Sequence, residues 1–176
     1  PTQCLVPMPQ EMSLMKRAKA LNVKTAWNVY AKQGDGEKLA NEVEQARNML
    51  SERIGNIVNS RQRGTQITLA IDNSLSDDEA YTLAVDAKGV TAKGKTARGV
   101  FYALMTLDPL LRGNGATECA DANPSLFIRV HPRRHARELT VDPDRTFIPS
   151  QHMKEFVPAL SRYLFNAMSP HSVADP

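Results

Sequence analysis

Residues 137–176 read RELTVDPDRTFIPSQHMKEFVPALSRYLFNAMSPHSVADP. The stretch spells strand, loop, helix, strand. Arg137-Glu138-Leu139-Thr140-Val141 alternates polar and apolar side chains, as a strand with one covered face does, and it stops at Asp142 before a Pro143-Asp144 turn. Ser150, after Pro149, is placed to cap a helix, and Met153, Phe156, Val157, Leu160 and Leu164 fall on one face of it. Pro158 inside that helix removes one backbone bond. Asn166 closes it, and Ala167-Met168-Ser169 starts a second extended run. Short joins make this a βαβ unit, in which ligand groups gather at the carboxyl ends of the strands. Asp142, Arg145 and His171 lie at or just beyond those ends.

Upstream, the chain changes character. Residues 1–20 are proline-rich, and Met12, Leu14 and Met15 are expected to cover an edge of the core. Residues 22–32 alternate, with Val23, Thr25, Trp27 and Val29 on one side, and read as a strand. Asp35 can cap the helix that follows, whose apolar positions Leu39, Val43, Ala46, Leu50, Ile54 and Ile57 predict roughly six turns. Residues 66–72 (QITLAID) and 80–86 (AYTLAVD) are strands with clean alternation. Asp86-Ala87-Lys88-Gly89 turns the second into a hairpin partner over 90–93. Thr96 caps a second helix, with Val100, Tyr102, Ala103, Leu104 and Leu107 inward, which Pro109 and Gly113 end. Residues 113–125 form a loop. The expectation for 1–130 is an α+β domain: an antiparallel sheet of about four strands, one face covered by two amphipathic helices.

Composition narrows the function classes. The chain has 176 residues and a formal charge of +3, too little to argue for nucleic acid by itself. No apolar run approaches the ~20 residues of a membrane span. The two cysteines, Cys4 and Cys119, can bridge in an oxidising compartment or stay as buried thiols, and spacing leaves both open. His131, His135, His152 and His171 form no zinc-like grouping with them. Gly113-Asn114-Gly115 lacks the strand and helix context of a phosphate loop. No metal or cofactor is implied.

Four motifs, in order, resemble the family 20 glycoside hydrolases, the β-N-acetylhexosaminidases. Pro7-Met8-Pro9-Gln10 is similar to the family's Pro-x-Pro-Gln, and Glu79-Ala80-Tyr81-Thr82-Leu83 to its Glu-x-Tyr-x-Leu strand. The 96–107 helix (TARGVFYALMTL) resembles its Gly-x-Phe-Tyr-x-x-x-Thr-Leu pattern. Arg137, Leu139 to Val141, Asp142, Arg145, Phe147, Asn166, His171 and Asp175 follow the spacing with which its catalytic barrel opens. The resemblance implies a non-catalytic α+β domain over 1–130. It also implies a linker and the first strand–helix–strand of a (β/α)8 barrel over 131–176. A barrel of this kind needs eight strands and about 250 residues, so the chain is expected to be part of a longer polypeptide. The resemblance further implies a secreted or periplasmic protein.

By the same resemblance Arg137 grips sugar hydroxyls, work suited to a planar fork of fixed donors. Without it, Arg137 is a surface arginine of a basic linker. His171 and Asp175 belong to the family's polar network around the substrate, while Asp142 and Arg145 are expected to form a structural ion pair. Two departures stand out: Ala174 where the family has an aspartate that tunes protonation, and Glu138 where it has glycine. The family's catalytic Asp-Glu pair is absent, since no His-x-Gly-Gly-Asp-Glu occurs and Asp77-Asp78-Glu79 is a polar turn before a strand. The implied partners are an N-acetylhexosamine-containing glycan and the rest of the same polypeptide. The departures also fit a non-catalytic glycan-binding relative. A rival reading takes the cluster 129–137 (RVHPRRHAR) as a binder of phosphates or an acidic polysaccharide. It has no aromatic within it on which bases would stack.

Overall fold

The computed structural model describes residues 5, 7–15, 19–23, 26–53, 64–112, 122–123, 125–142 and 148–170. They fall into two compact units, Pro1–Pro132 and Arg133–Pro176.

The first unit contains strands β1 (Glu11–Leu14), β2 (Leu21–Asn22) and β3 (Trp27–Ala31), helix α1 (Ala40–Arg53), then β4 (Thr65–Ile71), β5 (Tyr81–Asp86) and β6 (Gly89–Gly94). Helix α2 (Ala97–Arg112) and strands β7 (Ala122–Asn123) and β8 (Leu126–Val130) complete it. Six strands make one sheet in the order β1-β8-β5-β6-β4-β3, and β2 pairs with β7 separately. The sheet is mixed. β3, β4 and β6 run parallel, while β5 is antiparallel to β6 and β8, and β1 to β8. This corrects the expected four antiparallel strands. A helix that returns along the sheet, as α1 does between β3 and β4, leaves the next strand running the same way as the last. β5 and β6 are joined by a tight hairpin, where the Asp86 carboxylate accepts from the Lys88 and Gly89 amides.

Alternation along each strand and register across strands produce continuous apolar rows. Ala31, Leu69, Ala92, Leu83, Ile128 and Met12 face one another in turn across all six strands. Two residues along runs the row Val29, Ile67, Val90, Val85, Leu126 and Leu14. The four central positions of each row are buried, and Leu14, on the edge strand, is not. The other face carries Tyr30, Thr68, Thr91, Ala84, Phe127 and Ser13 in register, none of them buried.

Both helices cover the apolar face. α1 packs on β3 and on α2, and α2 packs on β4, β5 and β6. Leu39, Ala46 and Leu50 supply the buried stripe at α1, which spans 14 residues, with Ile54 and Ile57 outside the described residues. α2 continues through Pro109 to Arg112 rather than ending at the proline. Val100, Tyr102, Leu104, Leu107, Leu110 and Leu111 are buried along it. The Tyr81 and Thr106 hydroxyls meet at 2.6 Å between sheet and helix. The Trp27 indole, fully buried, donates to the Val23 carbonyl at 3.0 Å.

α2 crosses the end of β6 at a contact only glycines allow. A Cβ on Gly99 would lie 2.5 Å from the Ala80 carbonyl oxygen, and one on Gly94 would lie 2.3 Å from the Val100 nitrogen. Beside this crossing the Thr96 hydroxyl donates to the Asp78 carbonyl, and Arg98 pairs with the buried Glu79 at 3.5 Å. The Asp77-Asp78-Glu79 turn is thus a clamp on the start of α2.

The second unit is strand β9 (Glu138–Val141), helix α3 (Ser150–Arg162) and strand β10 (Ala167–Pro170). The two strands are parallel, with Glu138 opposite Ala167 and Val141 opposite Pro170. Pro149, not Ser150, occupies the N-cap, and its carbonyl accepts from the Met153 amide. No residue of α3 is buried; Phe156 is 39% and Val157 53% exposed.

Candidate functional site

Chemistry was expected from the second unit, where the structure resolves one end of the βαβ arrangement in detail. Asn166 organises it. Its side-chain oxygen accepts from the Arg137 amide at 2.9 Å, and its side-chain nitrogen donates to the His135 carbonyl. The Asn166 and Ala167 amides both donate to the Arg137 carbonyl, at 3.0 and 3.3 Å. The turn delivering Asn166 holds Leu164 at φ 61, a left-handed conformation that costs a branched side chain energy. It is held by the Leu164 amide donating to Ser161 and the Phe165 amide to Leu160. Asn166 therefore does more than end the helix.

Arg137 is half-buried at the amino-terminal end of β9, the end opposite Val141 and Asp142. Its Nε donates to the Leu164 carbonyl and its Nη1 to the Arg134 carbonyl at 2.8 Å. In this arrangement the guanidinium ties the start of β9 to the turn after α3. Donors so engaged are not available to a ligand. Asp142 is half-buried just past the carboxyl end of β9. Arg145, its expected ion-pair partner, lies outside the described residues, as do His171, Ala174 and Asp175. Cys4 and Cys119 lie outside them too. Glu138, in place of the family's glycine, is exposed, so its carboxylate meets solvent.

The basic cluster is divided between the two units. Arg129, on β8, pairs with Glu11 at 3.7 Å and lies 5.8 Å from the centre of the Phe127 ring. Arg133 and Arg134 are exposed in the second unit, and Arg137 is engaged as above. The arginines do not form one patch within either unit.

In the first unit, a depression of about 480 Å³ is lined by Asn22, Gly64, Thr65, Gln66, Ala87 and Lys88. Its polar groups serve the fold. The Thr65 hydroxyl donates to the Asn22 carbonyl, the Gln66 side chain accepts from the Tyr30 hydroxyl, and the Gln66 amide donates to the Lys88 carbonyl. It holds one cation and no carboxylate, so it offers no acid–base pair. Because α1 and α2 share a face, the carboxyl ends of β3, β4 and β6 do not open into a crevice between helices on opposite faces. Asp35 is used there structurally: its carboxylate accepts from the Ile71 amide at 3.0 Å, instead of capping α1. At the same end the Ser74 hydroxyl and amide hold the Asp72 carboxyl below the usual carboxylate range, helped by Lys93 and Lys32. Burial raises the Glu42 carboxyl on α1. Among the described residues no group of three or more His, Cys, Asp or Glu side chains could hold a metal ion, and no helix is long and apolar enough to cross a membrane.

Residues 2–128 match the model of glycosyl hydrolase family 20, domain 2. A beta-hexosaminidase of Akkermansia muciniphila is 35% identical over 119 residues, covering 64% of this chain and 24% of that protein. One of Vibrio furnissii is 30% identical over 103 residues, covering 58% of this chain and 16% of that protein. This chain thus spans a quarter or less of these relatives. Among solved structures, a β-N-acetylhexosaminidase of Streptomyces coelicolor A3(2) superposes with a TM-score of 0.76 at 20% identity, over 97% of this chain and 35% of that one. One from Bacteroides fragilis gives 0.73 at 18% identity, over 96% and 33%.

Proposed function

The chain belongs to glycosyl hydrolase family 20, with residues 2–128 forming that family's domain 2, and from this premise we propose that it is the N-terminal part of a secreted or periplasmic β-N-acetylhexosaminidase. The whole protein removes terminal N-acetylhexosamine residues from glycans. The observation that carries the reading is the family match, over most of a unit whose core closes on itself. That unit braces. The βαβ unit that follows is the first strand–helix–strand of a (β/α)8 barrel, a reading supported by its parallel pairing and short joins.

In the proposed reaction the substrate's own acetamido group is the nucleophile, the substrate-assisted exception to the two-carboxylate scheme. An aspartate orients that group, and a neighbouring glutamate protonates the leaving oxygen. Neither belongs to 1–176, whose sequence lacks the Asp-Glu motif. Arg137, His171 and Asp175 are the proposed substrate contacts, with Asp142 and Arg145 as a brace. Arg137 then does two jobs, holding the α3–β10 turn with Nε and Nη1 and contacting sugar hydroxyls in the assembled barrel.

Purified 1–176 is expected to leave a chromogenic β-N-acetylglucosaminide intact, while the full-length protein cleaves it. Turnover by 1–176 would contradict the assignment of the acid pair to another part of the polypeptide. In the full-length protein Arg137→Lys keeps the charge and loses the fork. It is expected to lower kcat/KM roughly tenfold to a hundredfold, the loss of one or two charge-assisted hydrogen bonds. Unchanged kinetics would remove Arg137 from the substrate site. The anionic-polymer reading has a separate signature, binding that collapses with added salt.

A further inference from the structure

The segment 131–137 lies outside every helix and strand, yet its backbone is held at both ends. On one side, the Gln10 side-chain amide clasps His131: its nitrogen donates to the His131 carbonyl at 2.9 Å, and its oxygen accepts from the His131 amide at 3.3 Å. That clasp continues the β1–β8 pairing one step past the Glu11–Arg129 pair. On the other side, Arg137 holds the Arg134 carbonyl and Asn166 holds the His135 carbonyl. Between the clasps stand Pro132, which has no amide hydrogen, and Arg133, which is exposed and makes no hydrogen bond or ion pair among the described residues.

Four other basic residues in described turns are anchored. The carbonyls of Lys19 and Lys88 accept from the Ser125 hydroxyl and the Gln66 amide, and the amides of Lys32 and Lys95 donate to Leu69 and Ala80. Arg133 differs from these four; Lys38, exposed in the 36–39 turn, also lacks such an anchor among the described residues but is not an arginine. A serine protease of trypsin type needs an exposed basic side chain, a stretch of chain that can be drawn out, and a scissile carbonyl able to turn into an oxyanion hole.

We propose that the Arg133–Arg134 peptide bond is a processing site for an arginine-specific serine protease. Water's oxygen bonds to the Arg133 carbonyl carbon and the bond to the Arg134 nitrogen breaks. Arg133 leaves as a carboxylate and Arg134 as an amine carrying the proton. The neighbouring Arg134–His135 bond is protected, because the Arg134 carbonyl is already held by Arg137. The inference is independent of any hydrolase activity, since it rests on hydrogen bonds within each unit.

Brief digestion of folded 1–176 with trypsin, read by intact mass, tests it. The first products are expected to be 1–133 and 134–176. Arg133→Gln should remove this first cut, Gln10→Ala should speed it threefold or more, and Arg137→Ala, which frees the Arg134 carbonyl, should add cleavage at Arg134–His135. A first cut at any other bond while Arg133–Arg134 stays intact would overturn the proposal. So would a first cut in the Arg133→Gln variant at unchanged rate.

Discussion

The sheet unit and the βαβ unit use the same vocabulary of alternating strands and an amphipathic helix, and reach opposite degrees of closure. Across the six-stranded sheet the apolar rows run strand to strand, and two helices seal them. Leu69, Ala92, Leu83 and Ile128 are all fully buried. In the second unit two short strands carry one helix, and none of that helix's residues is buried. Pattern alone does not separate them. What separates them is how many strands line up to continue a row: burial grows with the number of rows that meet, and a two-stranded piece has few.

That contrast can be broken or sharpened by substitution. Leu83→Ala removes a side chain from the middle of the row. It is expected to cost about 2–5 kcal/mol in urea unfolding, the range for buried leucines. Gly99→Ala pushes a methyl group towards the Ala80 carbonyl and is expected to cost about 1–3 kcal/mol, as overpacking does. Phe156→Ala, on the exposed face of α3, should change unfolding of 1–176 by less than about 0.5 kcal/mol. A loss as large as that of Leu83→Ala would mean that this face is covered in solution, and the contrast would fail. The smallest effect is electrostatic. Asp72 has a folded pKa below its ordinary 3.8, so its stabilisation is present above that value and lost as pH falls through the lower one. Asp72→Asn should therefore lose this small contribution at neutral pH, by melting temperature, and flatten the further decline of stability in acid below about pH 3.8.

The motif segments show how much was legible. Strands over 66–72 and 80–86, the 86–89 turn and the helix beginning after Thr96 follow from local rules and stand within a residue or two of expectation. The sheet's strand number and mixed direction were not legible in the same way. Residues 126–130 enter the sheet beside β5, and residues 11–14 beside 126–130, across the whole domain, partnerships no local window contains. Arg137 and Asn166 teach the same lesson at the candidate site. Their residue types were visible, but the sequence cannot show that an asparagine 29 positions away takes the Arg137 amide.

By itself, then, the sequence determined where the chain turns, which faces are apolar and which family's motifs it carries, because alternation, caps and glycines act over a few residues. Tertiary structure alone decided which strands are neighbours and in which direction, why Gly94 and Gly99 must lack side chains, and what holds Arg137. Each of those depends on groups far apart in the chain meeting at hydrogen-bonding or van der Waals distance, and only the folded backbone fixes that.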